Sequence, residues 1–126
     1  MKKPTVRLLV CGGRDFTDRD KLENILEGFE FENIIECVIE GEAPGADTMA
    51  REWAEGIGID VKKFPADWKR YGRAAGPKRN QQMLVEGKPT YAFAFYDRPR
   101  QFSKGTADMV TRLKKAGITV EEVDHE

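Results

Sequence analysis

Short apolar runs alternate with longer amphipathic stretches along the whole chain. Val6-Arg7-Leu8-Leu9-Val10-Cys11 is a mostly apolar run ended by Gly12-Gly13, the pattern of a strand buried in a parallel sheet. Thr17 is then expected to cap a helix in which Leu22, Ile25, Leu26 and Phe29 recur at helical spacing. Residues 34–39 read as a second strand stopped by Gly41. Ala46, Met49, Ala50, Trp53, Ala54 and Ile57 next form one apolar stripe, predicting a helix that Gly58 ends. Residues 59–64 supply a third strand. Pro77 suits the first turn of a helix running to Gly87, and residues 90–96 form a strand of aromatic and small residues. A last helix is expected from Thr106, with Met109, Val110 and Leu113 inward and a stop at Gly117. Residues 118–123 close the sheet.

Strands alternating with helices, without repeats or a linker, predict one α/β domain over residues 1–126. Its mostly parallel five-stranded sheet is expected to be covered on both faces, as a three-layer sandwich. Ligands of such sheets gather beyond the carboxyl ends of the strands, near the point where the strand order reverses. That rule selects four segments: 11–16, 41–47, 67–80 and 96–108.

Composition narrows the function classes. The 126 residues are 40% hydrophobic, and no apolar run approaches a membrane span. Met1-Lys2-Lys3-Pro4 leads at once into a strand-like run rather than a signal peptide. Cys11, Cys37 and His125 offer neither a disulfide framework nor a zinc cluster, so no metal and no cofactor are expected and a reducing, cytoplasmic setting is the default. The net charge of -1 conceals an asymmetry: residues 68–104 hold nine Lys or Arg and two acids. Segregation of this kind creates a local field for an anion, or simply a solvated cationic edge.

The four segments carry the candidate chemistry. Gly12 and Gly13 let backbone approach a ligand closely, and Arg14 can pair with a phosphate, although a tight turn explains the same residues. The pattern is neither a dinucleotide fingerprint nor a phosphate-binding P-loop. Gly45 opens the helix of the Trp53 stripe, where free N–H groups and a positive dipole end suit an anion. Asp47 in that first turn reads as structural, or as a partner for a ribose hydroxyl. Residues 68–79 contain Lys69, Arg70, Arg73, Lys78 and Arg79 without an acid. Trp68 and Tyr71 among them suit a base and its phosphate, or a single strand of nucleic acid. Asn80 adds a directional amide beside Arg79. Lys104-Gly105-Thr106 resembles a phosphate cradle, and Thr106 equally fits a helix cap. Asp108 suits the helix dipole, or catalysis by stabilising positive charge on a ribose or activating water.

Val10-Cys11-Gly12-Gly13-Arg14-Asp15-Phe16, Gly45-Ala46-Asp47, Phe64-Pro65-Ala66-Asp67-Trp68, Ala75-Gly76-Pro77-Lys78-Arg79-Asn80 and Gly105-Thr106-Ala107-Asp108 form an ordered set. As a set they resemble the SLOG superfamily of Smf/DprA and LOG-like proteins, and within it the YspA/YpsA-related branch of bacterial and phage proteins. The resemblance implies a Rossmann-like fold that binds nucleotides or nucleotide-derived ligands. In the LOG-type enzymes, which split the base from a nucleoside 5'-monophosphate, an Arg acts with a Glu. Arg79 and Met83 match the first segment of that pair, with Asn80 in place of a lysine. Asp108 stands where the acid is expected, and Phe102-Ser103-Lys104 replaces glycines.

Three functions follow as expectations. The first is a nucleotide-binding domain, with sensing as one role for it, using Gly12, Gly13, Arg14, Gly45, Asp47, Trp68, Arg79, Asn80, Gly105 and Thr106. The second is a phosphoribohydrolase with Arg79 and Asp108 as the catalytic pair. The third is binding of single-stranded nucleic acid through the cationic stretch. No membrane partner is expected, and the resemblance leaves a homodimer open.

Overall fold

The computed structural model describes residues 2–125. Its strands are β1 (Thr5–Gly12), β2 (Ile34–Glu40), β3 (Asp60–Lys63), β4 (Tyr91–Phe95) and β5 (Thr119–Val123). Every pairing is parallel, in the order β3-β2-β1-β4-β5. The sheet is thus wholly rather than mostly parallel, and the direction of strand addition reverses between β1 and β4. The helices are α1 (Arg19–Glu32), α2 (Ala46–Gly56), α3 (Trp68–Tyr71), α4 (Ala75–Gly87) and α5 (Lys104–Lys115).

Side-chain alternation along β1 divides the core into two layers. Leu8 and Val10 pack with Leu22 and Leu26 of α1, and with Ala50 and Trp53 of α2. Leu9 and Cys11 face the other way, against Met83 of α4 and Met109, Val110 and Leu113 of α5. Because β1 is central, both of its faces must be apolar, and Leu8, Leu9 and Val10 are fully buried. Aromatic rings extend the first layer: Phe29 meets Phe93 edge-on with ring centres 5.3 Å apart.

Several boundaries differ from the sequence expectations. Asp18, not Thr17, caps α1, accepting Lys21 N–H at 3.1 Å; its carboxylate also opposes the positive end of the helix dipole. Ile57 lies just beyond α2 and is half exposed, since the helix closes with Ile57 N–H on Ala54 O. The cationic stretch contains an unanticipated short helix, α3, started by Asp67 accepting Arg70 N–H, and then a 3-10 turn over Gly72–Ala74. Pro77 is the third residue of α4, still within the first turn where a missing N–H costs no helical bond. α5 begins at Lys104, so Thr106 is inside the helix and Ser103 occupies the cap position.

Candidate functional site

The reversal of strand order leaves a cleft of about 310 Å³ beyond the carboxyl ends of β1 and β4, within the roughly 300–1,000 Å³ typical of small-molecule sites. Its floor is made by Cys11, Gly12 and Gly13 at the end of β1. Arg14 and Asp15 form one wall, Ala43 and Asp47 a second, Arg79, Asn80 and Met83 of α4 a third. Asp97 and Arg98, with Ser103 to Thr106 at the start of α5, complete it.

Two glycines allow the loops to meet. Gly13 donates to Phe95 O at 2.9 Å, and any side chain on it would occupy the space of the Asp97 carboxylate. Gly45 has φ +82°, and a Cβ there would strike the Gly13 carbonyl. That carbonyl also accepts Ala46 N–H at 3.2 Å. The glycines read from the sequence as room for a ligand therefore make room for protein first, and their closure shapes the cleft floor.

Asp47 is only 4% exposed. Its Oδ2 accepts Gly41 N–H at 3.1 Å and Ala43 N–H at 3.5 Å, so it folds the β2–α2 loop back on itself. Burial raises its pKa to about 6, and Arg79, the two backbone donors and Arg14 only partly oppose that rise. Behind it, Glu40 at the end of β2 is fully buried. Desolvation pushes its carboxyl up to about 9, helped by its bond with Glu42 and by the Asp47 charge. Cys11, buried beside Asp47, is held as a neutral thiol by desolvation.

Arg79 is anchored rather than free. Its Nη1 donates to Gly41 O at 2.5 Å and its Nε to Asn80 Oδ1 at 3.0 Å. Asn80, 4% exposed, spends its amide hydrogens on Gly105 O at 3.2 Å and Asp108 Oδ2 at 2.9 Å. Arg79 and Asn80 consequently tie α4 to the β2–α2 loop and to the start of α5. The same chain continues to Asp108, whose Oδ2 also pairs with Arg112 Nε at 2.8 Å. Burial pushes the Asp108 carboxyl up, but its bonds to Arg112 and Asn80 outweigh that and leave it below the ordinary value. Asp108 does not line the cleft; it borders a neighbouring, more open groove with Arg100, Gln101 and Lys104.

The start of α5 is the part of the wall best suited to an anion. Ser103 sits at the cap position, yet its hydroxyl donates backward to Pro99 O at 3.3 Å and caps nothing. Among the described residues, no side chain accepts from the first-turn N–H groups of Lys104, Gly105 and Thr106 at the positive end of the helix. Thr106 is 8% exposed and adds its hydroxyl to the lining. Gly105, with nothing near the position of a Cβ, keeps the approach open.

Trp68 stands at the rim, half exposed, with the Arg14 guanidinium 5.5 Å from its ring centre. Tyr71, also partly exposed, carries Arg70 and Lys78 against its ring at 5.1 and 4.7 Å. Gly12, Gly13, Arg14, Asp47, Arg79, Asn80, Gly105 and Thr106 are thus gathered at one cleft, whereas Gly45 lies under its floor, Trp68 on its edge and Asp108 outside it.

Sequence reasoning missed Asp97 and Arg98. The Asp97 side chain is 6% exposed. Its Oδ2 accepts Asp15 N–H at 2.9 Å and its Oδ1 accepts Arg98 Nε at 2.8 Å. Burial raises its pKa, but those two bonds more than compensate and hold it ionised, below the usual carboxylate range. The available signal was position: both residues follow β4 with only Tyr96 between, inside a segment selected by the strand-end rule.

Comparison with known proteins agrees with this architecture. The family described as YAcAr, the YspA, cpYpsA-related SLOG family, matches residues 6–71. The chain is similar to the Gene 61 protein of Mycobacterium phage D29, with 33% identity over 123 residues, covering 90% of this chain and 93% of that protein. Its fold is similar to that of DNA processing protein A (DprA) from Streptococcus pneumoniae, with a TM-score of 0.67 and 17% identity over 95% of this chain. The chain spans 50% of the length of that structure. No helix among the described residues is long and apolar enough to cross a membrane.

Proposed function

We propose that this chain, a member of the YspA, cpYpsA-related SLOG family, binds a nucleotide or nucleotide-derived ligand in the cleft beyond β1 and β4. The observation that carries this reading is the uncapped first turn of α5 within that cleft. Ser103 turns its hydroxyl away, so the N–H groups of Lys104 to Thr106 offer a ready phosphate site beside the Thr106 hydroxyl and the Lys104 ammonium. Arg14 supplies further positive charge, and Trp68 beside it offers a face on which a base can stack.

The position of Asp108 supports binding over hydrolysis. Asp108 lies outside the cleft and is committed to Asn80 and Arg112, which argues against an Arg79–Asp108 catalytic pair; of the carboxylates in the wall, Asp47 is held by Gly41 and Ala43 N–H and Asp97 by Asp15 N–H and Arg98.

Thermal unfolding with nucleoside 5'-monophosphates and with the matching nucleosides tests the reading. Ligand binding raises apparent stability; the monophosphates are expected to do so more than the nucleosides. A Lys104→Ala, Thr106→Val variant should lose the difference. Equal shifts for nucleotides and nucleosides, or none across the panel, would rule the site out.

A second reading has its own observation. Lys69, Arg70, Arg73 and Lys78 lie together on α3, the following 3-10 turn and the start of α4, beside the partly exposed rings of Trp68 and Tyr71. That face suits a single strand of nucleic acid. It predicts an affinity for oligonucleotides that falls steeply with salt and is reduced by Lys69→Ala and Arg73→Ala; salt-independent binding, or no binding at low salt, would dismiss it.

A further inference from the structure

The loop after β4 sends two linked side chains across the end of the sheet. Asp97 fills the space that Gly13 leaves, and it holds the β1 loop through Asp15 N–H. Arg98 grips Asp97 Oδ1 with its Nε at 2.8 Å and reaches over the cleft wall to Asp15 Oδ2 with Nη2 at 2.6 Å. The two ends of this bridge differ in environment. The Asp97 side chain is 6% exposed, whereas that of Asp15 is 78% exposed. An exposed ion pair contributes little, because water screens it. The Asp97 end is shielded and geometrically fixed.

We propose that Arg98 is a phosphate-binding residue of the cleft, held by Asp15 until an anion displaces that carboxylate. The inference rests on the cleft being an anion site and adds to it a residue and a built-in competitor. Arg98 keeps its Nε on Asp97 as a pivot and swings its outer nitrogens from Asp15 to the phosphate. A guanidinium is suited to this exchange because it has donors to spare and meets phosphate in a two-pronged geometry. Asp15 thereby competes modestly with the ligand for Arg98, a competition that a multiply charged phosphate wins more readily than a weakly charged ligand.

The test is calorimetric titration of the full chain with inorganic pyrophosphate at low ionic strength, using the wild type, Asp15→Asn, Arg98→Ala and the double variant. Both side chains are solvent-exposed, and Asp15→Asn retains the backbone N–H that Asp97 accepts, so the loop stays closed. Asp15→Asn is expected to bind about two- to fivefold more tightly, the gain that loss of one exposed competing pair allows. Arg98→Ala is expected to bind about tenfold more weakly, as loss of a charged hydrogen-bonding partner does. The gain from Asp15→Asn should vanish when Arg98 is alanine.

A gain that persists without Arg98 would overturn the proposal, because Asp15 would then act only as a background negative charge. Wild-type affinity in Arg98→Ala, or no pyrophosphate binding by the wild type, would overturn it as well. Pyrophosphate binding with this pattern, alongside no response to any nucleotide, would leave Arg98 as an anion ligand and remove the nucleotide reading alone.

Discussion

Asp47 places a carboxyl group where water barely reaches, and asparagine is its nearest uncharged replacement. The folded-state pKa of about 6 lies above the ordinary 3.8. The folded protein therefore prefers the protonated form, and its advantage is complete below the ordinary value and lost as pH rises to about 6. At about 1.36 kcal/mol per pH unit, the charged form costs the native state about 3 kcal/mol at neutral pH. Asparagine can keep the acceptor for Gly41 N–H and Ala43 N–H without that charge.

Asp47→Asn is accordingly expected to match the wild type near pH 4 and to exceed it by up to about 3 kcal/mol near pH 7. Urea unfolding at intervals across that range, followed by circular dichroism, measures the difference. Glu40, whose pKa is raised in part by the Asp47 charge, imposes a fall of the same sign on both proteins and a smaller one on the variant, so the difference between the two curves reports Asp47 together with its coupling to Glu40. A stability difference that stays constant with pH would refute the reasoning. So would a variant that becomes relatively weaker as pH rises, since the carboxylate would then be stabilised by Arg79 and the backbone donors rather than penalised by burial.

Three other substitutions probe the neighbouring structure. Gly13→Ala should displace Asp97 and cost about 1–3 kcal/mol in urea unfolding, with loss of pyrophosphate binding; a fully stable variant would remove the role given to that close approach. Asp108→Asn should lower stability by about 1 kcal/mol through the weakened Arg112 pair, yet leave nucleotide-dependent thermal shifts intact, and their loss would return Asp108 to the site. Leu8→Ala, at a fully buried position of the central strand, should cost about 2–5 kcal/mol; a cost below 1 kcal/mol would contradict the packing described for the α1–α2 layer.

Elements whose signal is local were readable from the chain alone. The β1 run, the Ala46–Trp53 stripe and the aromatic β4 run each carry their own hydrophobic period, and all three elements form where that period places them. Their ends were less legible, because competing local partners decide them. Asp18 lies next to Thr17 and is the better acceptor for Lys21 N–H. Ser103 takes the cap position expected of Thr106 because the 3-10 turn at Arg100–Phe102 delivers the chain to α5 three residues early.

The sequence by itself determined the class of sheet, the segments at its carboxyl ends, and the cations that collect there. Only the tertiary structure decided how those cations are employed. Arg79 is spent on Gly41, 38 residues away in the chain, and Asn80 on Gly105, 25 residues away. Asp97 matters because Gly13 lacks a side chain, and Asp47 is perturbed because other loops exclude water from it. Periodicity reports which face of an element is buried, a property that each segment carries within itself. Burial of a charge and the partner it finds belong to pairs of segments, and strand order alone brings those pairs together.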